Sequence, residues 1–306
     1  MSRRTLAIVL TAALAVIVGA APAAAHTRGH LQTSFDLPAG FQPEGIAIGK
    51  GPYAYLGSRV DGDIYRASLI TGTGRVISQG PGTQSLGMKI DRYGRLFVAG
   101  GAGGDARVID TRTGRVLRSY PLQTVPSFIN DVILAGGDAF YTDSTNPALF
   151  RLDVGRHGKL PHAARAVPLT GDIRYTTGIN ANGIARTPDG RNLIIVQSNT
   201  GKLFHTTYRG RTTEIDLGGG SVPNGDGLWL RGRDLYVVQN QLNLVAKIKL
   251  NRSGTRGTVV SRTGSDAFDV PTTIAEYGGR FYLPNARFTT PPTPATPYDV
   301  VSIRIP

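Results

Sequence analysis

Residues 44–58 read EGIAIGKGPYAYLGS: a polar residue, a glycine, an aliphatic run, a glycine-bearing turn, then a run of Tyr, Ala and Leu. The unit returns as LGMKIDRYGRLFVAG from Leu86, NDVILAGGDAFYTDS from Asn130 and NGIARTPDGRNLIIVQS from Asn182. It continues as DGLWLRGRDLYVVQN from Asp226 and TTIAEYGGRFYLPN from Thr272. The starts lie 42, 44, 52, 44 and 46 residues apart. Self-similarity at such a period marks a repeat architecture, and 40–50 residues is the length of one four-stranded sheet. Each copy is followed by a third strand of alternating apolar and polar residues, as in GDIYRASL (62–69), NLVAKIKL (243–250) and YDVVSIRI (298–305). A fourth strand follows in five copies, among them RVLRSYPL (115–122) and TEIDLGG (213–219), and the sixth copy lacks one. LQTSFDLP (31–38), ahead of the first copy, supplies it. The expected fold is all-β: a six-bladed β-propeller whose last blade is closed by an N-terminal strand.

Composition agrees. Of 306 residues, 40 are Gly and 19 are Pro, as a turn-dense β protein requires. The absence of cysteine excludes disulfides, thiolate metal sites and a cysteine nucleophile, so burial alone must hold the fold. Ser2-Arg3-Arg4, an apolar core from Leu6 to Ala21 and the small residues Ala23-Ala24-Ala25 read as a secretory signal peptide over residues 1–25. Its removal leaves 281 residues, 26–306, as a single propeller domain of a secreted, extracellular protein with no membrane span and a monomeric state. The net charge of +13 falls to about +11 with the loss of Arg3 and Arg4, and only six residues are lysine. The arginines are scattered through turns without an aromatic platform, which argues for a basic solvated surface and against nucleic acid.

The first strand of each propeller blade lines the central channel, so the repeat starts converge there: Glu44, Leu86, Asn130, Asn182, Asp226 and Thr272. Two carboxylates and two carboxamides from four blades form an oxygen set suited to a hard cation such as Ca²⁺. The same residues also fit a wet polar channel in which Asn and Asp merely begin strands. GGAGGD (100–105) opens no helix and is no phosphate cradle. The five histidines show no metal-ligand spacing, and no Gly-x-Ser-x-Gly elbow is present. The segment Ala286–Pro297, rich in Pro and Thr, is either a plain surface loop or a stiff overhang at the channel mouth carrying Arg287 and Phe288 as substrate contacts.

Pro43-Glu44-Gly45, Asn182-Gly183-Ile184, Pro223-Asn224-Gly225-Asp226-Gly227 and Phe128-Ile129-Asn130-Asp131 resemble the motif strands of the senescence marker protein/gluconolactonase family. The resemblance covers about residues 40–285. It implies a channel-held divalent cation, Ca²⁺ by its donor set, on Glu44, Asn182 and Asp226, with Asn130 beside the substrate. Two extra residues in the fifth-blade motif leave Asn224 as a rival to Asp226. Phe128 stands where the family carries a substrate-contacting arginine. The implied activity is hydrolysis of a small lactone or ester, with Asp226 as general base and Asn130 as oxyanion donor. The alternative is a non-catalytic binding or scaffold propeller of the NHL-like kind, in the cell envelope or outside the cell.

Overall fold

A computed structural model of the chain describes residues 30–155 and 157–306. The signal-peptide reading of residues 1–25 lies outside the described residues. The compact unit spans Leu31–Pro306. Among the described residues the helical content is one 3-10 turn, Asn240–Leu242.

The chain opens with β1 (Ser34–Leu37) and then lays down six sheets in sequence order, antiparallel throughout except for one short added strand in the fourth. Blade one is β2 (Pro43–Ile48), β3 (Tyr53–Ser58), β4 (Ile64–Ser68) and β5 (Gly74–Ser78). Blade two is β6 (Met88–Ile90), β7 (Arg95–Ala99), β8 (Asp105–Asp110) and β9 (Val116–Pro121). Blade three is β10 (Ile129–Ala135), β11 (Asp138–Asp143), β12 (Ala148–Leu152) and β13 (Arg165–Pro168). In blade four, β14 (Thr170–Gly171) precedes β15 (Ala181–Arg186), β16 (Leu193–Gln197), β17 (Lys202–Thr206) and β18 (Arg211–Glu214). Blade five is β19 (Gly225–Arg231), β20 (Asp234–Gln239), β21 (Leu244–Leu250) and β22 (Gly257–Gly264). The last is β23 (Ala275–Tyr277), β24 (Arg280–Pro284) and β25 (Tyr298–Arg304), completed by β1.

The closure is the expected one. β1 pairs antiparallel with β25 in the register Ser34↔Val301 to Leu37↔Tyr298, so the two ends of the ring share one sheet. A strand from the far end of the chain thereby covers what would be an open sheet edge. Two details depart from the sequence expectation. β14 adds a fifth strand to blade four, parallel to β18, and uses residues from the longest of the five repeat intervals. The fourth strand of that blade runs Arg211–Glu214 and stops short of the expected 213–219.

Six apolar clusters hold the ring, one at each blade–blade interface. Phe35, Ile46, Leu56, Tyr282 and Val300 fill the seam between blades six and one, where the ring closes. Second strands such as β11 and β16 are buried along their whole length because both sheet faces are covered by neighbouring blades. The outermost strands, such as β9 and β22, are mostly solvent-facing. Each fully buried Leu, Val or Phe contributes about 1.5–3 kcal/mol, which explains how the chain dispenses with disulfides.

Candidate functional site

The inner strands of blades one, three, four and five each carry an irregularity in pairing. Register shifts between Pro43 and Ile46, Ile129 and Val132, Ala181 and Ile184, and Gly225 and Leu228. The residues inside those bulges are Glu44-Gly45, Asn130-Asp131, Asn182-Gly183 and Asp226-Gly227. A bulge breaks the two-residue alternation and re-aims a side chain. Here it turns an oxygen-bearing side chain into the channel in four blades. The inner strands of blades two and six pair regularly, and their counterparts Leu86 and Thr272 lie ahead of β6 and β23, outside the strands.

The glycine after the donor serves the neighbouring blade. A Cβ on Gly45 would meet the Leu86 carbonyl oxygen at 2.0 Å, and one on Gly183 would meet the Asp226 carbonyl oxygen at 2.1 Å. The backbones of successive inner strands therefore approach too closely for any side chain. Blade three breaks the pattern with Asp131 in the glycine place. Its carboxylate accepts from the backbone N–H of Val132 (2.7 Å) and of Ile184 in the next blade (3.2 Å), and Lys89 stands 4.0 Å away.

Hydroxyls and amides at the ends of the second strands orient the donors. Ser144 Oγ donates to the Ala181 carbonyl (2.6 Å) and so accepts from Asn130 Nδ2 (2.9 Å). Ser198 Oγ donates to the Gly225 carbonyl and accepts from Asn182 Nδ2 (3.0 Å). Because each serine hydrogen is committed elsewhere, the amide nitrogen must face the serine, and the orientation of both carboxamides follows. Asn240 Nδ2 donates to Asp226 Oδ2 at 2.7 Å. The Thr272 hydroxyl donates to the Glu44 carbonyl at 2.6 Å, tying blade six to blade one.

These side chains surround one cavity of about 320 Å³. Glu44, Asn130, Asn182, Asp226, Arg287 and Phe288, all singled out from sequence, line it together. Asn240, which the repeat places at the end of a second strand on the channel face, lines it too, as do Arg59, Gln42 and Tyr298, which were not anticipated. Asn224 takes a left-handed turn conformation (φ 55°) and is not on the cavity wall; Asp226 occupies that place. Ala286, Arg287, Phe288, Thr290 and Pro292 show that the Pro/Thr segment walls the mouth. The segment is anchored where Gly40 N–H donates to the Thr296 carbonyl at 2.8 Å.

The electrostatics are strained in one direction. Glu44, Asn130, Asp131, Asn182 and Asp226 are each 4–7% exposed. Burial, followed by repulsion from Asp226 and Asp131, holds the Glu44 carboxyl well above its ordinary range, while Arg59 and Lys89 pull it back. Burial pushes Asp226 up to about 7 against the hydrogen bond from Asn240. Glu44 Oε2 and Asn182 Oδ1 are buried without a hydrogen-bond partner among the described residues. Unpartnered buried oxygens are costly and call for a donor or a cation. Among the described residues no group of three or more His, Cys, Asp or Glu side chains is placed to hold a metal ion, so any cation set here mixes carboxylate with amide oxygen.

No family model and no curated protein sequence matches the chain. Solved structures do. The major allergen Mala s 1 of Malassezia sympodialis superposes with a TM-score of 0.67 at 14% identity, over 89% of this chain and 96% of that one. A streptogramin B lyase gives 0.63 at 13%, over 90% and 87%. The PQQ-bound aldose sugar dehydrogenase of Streptomyces coelicolor gives 0.59 at 12%, over 89% and 97%. The chain is a six-bladed propeller with structural neighbours of the streptogramin lyase and PQQ-dehydrogenase type. At these identities the likeness is one of fold. The resemblance to the senescence marker protein/gluconolactonase family rests on the motif residues alone.

Proposed function

We propose that the protein is an exported, divalent-cation-dependent hydrolase of a small lactone or ester, related to the senescence marker protein/gluconolactonase propellers. The observation that carries the reading is the pair of buried, unpartnered oxygens, Glu44 Oε2 and Asn182 Oδ1, on a cavity shared with Asp226. Glu44, Asn182 and Asp226 would hold the ion, and an all-oxygen set favours Ca²⁺. When bound, the cation would supply Lewis-acid polarisation of a carbonyl and lower the pKa of water. Structural neighbours whose names record a lyase and a sugar dehydrogenase agree with a propeller used as an enzyme.

The chain's own residues have separable tasks. Asn240 fixes Asp226 through Oδ2, so the carboxylate presents one orientation to a water in the cavity. Asp226 takes the water proton as the new C–O bond forms and returns it to the leaving alkoxide as the ester C–O bond breaks, which yields a carboxylic acid and an alcohol. Asn130 spends one N–H on Ser144 and keeps its second for the carbonyl oxygen that gains charge. Phe128, Phe288 and Ala286 wall the cavity and thin the water around the reacting carbonyl.

A panel of aliphatic lactones and aryl esters, followed by proton release with added Ca²⁺ and with EDTA, tests the reading. Turnover that needs Ca²⁺ and is lost in Asp226→Asn is expected. Turnover insensitive to EDTA or surviving Asp226→Asn overturns it, and Ca²⁺ binding without turnover favours a non-catalytic binding propeller. Mass measurement of the protein recovered from the medium should place the mature N-terminus near His26.

A further inference from the structure

Two arginines line the cavity, and they differ in what they are free to do. The Arg287 guanidinium faces Asp269 at 3.3 Å and Asp299 at 3.9 Å, so its charge is spent within the wall. Arg59 makes no ion pair with any described carboxylate. Its backbone N–H donates to the Gln42 carbonyl at 3.0 Å, which sets it beside β2 and Glu44. Its guanidinium lies over the ring of Phe288, 4.6 Å from the centroid. The contact is a cation–π platform between two residues that meet only because the ring closes. The contact spends none of the guanidinium N–H donors on a hydrogen bond, and a guanidinium fork matches a carboxylate with two parallel hydrogen bonds.

The charge around the cavity sets a condition. Glu44, Asp131 and Asp226 against Lys89 and Arg59 leave the fully ionised site with one net negative charge. A divalent ion reverses the sign, so a cation-loaded cavity favours an anion more strongly than the unloaded one does. Phe128 and Ile179 face the same space, and Ile179 is 42% exposed. A cavity of about 320 Å³ is at the small end of ligand pockets, which run from roughly 300 to 1,000 Å³.

We infer that Arg59 is a specificity residue and that the cavity takes a small carboxylate carried on an apolar, planar body. Arg59, seated over Phe288, grips the carboxylate, and Phe128 and Ile179 cover the body. The inference deepens the hydrolase reading and rests on it for the substrate's reactive ester, but the grip itself is a matter of binding.

Benzoate and its neutral analogue benzamide are the probes, titrated by calorimetry into the wild type, Arg59→Gln, Arg59→Lys and Phe288→Leu, in Ca²⁺ and in EDTA. The wild type in Ca²⁺ is expected to prefer benzoate by about tenfold, equivalent to about 1.4 kcal/mol. Arg59→Gln should abolish the preference while binding Ca²⁺ as tightly as the wild type or more so, because a positive charge has left the site. Arg59→Lys should keep the charge and only part of the preference, and Phe288→Leu should reduce it. A benzoate preference that survives Arg59→Gln, or a wild type that does not favour benzoate, overturns the inference. Failure of the cation reading is separately visible: the wild type then binds no Ca²⁺, while a preference lost in Arg59→Gln under EDTA still assigns the grip to Arg59.

Discussion

Blades one, three, four and five bulge at the channel, and blades two and six do not. The bulged blades deliver Glu44, Asn130, Asn182 and Asp226 to one cavity. The regular blades offer Leu86, packed in the seam between blades two and three, and Thr272, whose hydroxyl is spent on the Glu44 carbonyl. The same repeat thus does two jobs. Where the ladder is intact the inner strand serves the ring, and where it is broken the strand serves the cavity. Oxygen donors gathered in this way are paid for in stability, since their buried charges repel one another until something positive lies between them.

That contrast is sharpest in pH dependence. Asp226 rises from 3.8 unfolded to about 7 folded, so between those values the native state holds a proton that the unfolded chain has lost. Stability must therefore fall as pH rises from about 4 to about 7 and stay lower above it. Glu44 shifts in the same direction and adds to the loss. At about 1.4 kcal/mol per unit, the two carboxyls together account for a loss on the order of a few kcal/mol between pH 4 and 8 in EDTA. Urea melts should show that fall for the wild type, a smaller one for Asp226→Asn, and its reversal by Ca²⁺ at pH 8. A stability that rises over this range would break the comparison.

Gly183→Ala places a Cβ 2.1 Å from the Asp226 carbonyl oxygen and should cost about 3 kcal/mol or more, since backbone on both sides must move. Gly190→Ala meets nothing within 4 Å at φ 70° and should cost only about 1–2 kcal/mol for its left-handed backbone. Equal penalties in denaturant melts would mean that inner-strand approach is not what these glycines secure. Thr272→Val, in a regular blade, leaves the buried Glu44 carbonyl without its donor and should cost about 1–2 kcal/mol. The penalty should be the same at pH 5 and pH 8, because a hydroxyl does not titrate there. Ser198→Ala should cost about 1 kcal/mol and release the Asn182 amide to rotate, visible as a weaker Ca²⁺ affinity.

The blade count, the closing strand and the four donors could be read from the chain because they repeat. A spacing of 42–52 residues and the polar-Gly step at its start are properties of one dimension. What escaped reading does not repeat. Arg59 sits in the turn after β3 and gains its meaning from Phe288, more than two hundred residues on. Asp131 replaces the glycine of the pattern and is stabilised by a backbone N–H of the next blade. The choice between Asn224 and Asp226 depended on a left-handed φ at Asn224, which places it in the turn ahead of β19. β14 arises from surplus chain in the longest interval, where the sequence carries length but no strand pattern.

The role of the four bulges reduces to whether separate blades share one ion. Calorimetric titration of Ca²⁺ at pH 7.5 into the wild type, Glu44→Gln, Asn182→Ala and Asp226→Asn puts that directly. One ion per chain for the wild type, with affinity lowered at least tenfold by each substitution, is the expected result. Absence of binding, or binding indifferent to all three, would contradict it and leave the cavity a polar channel without a cation.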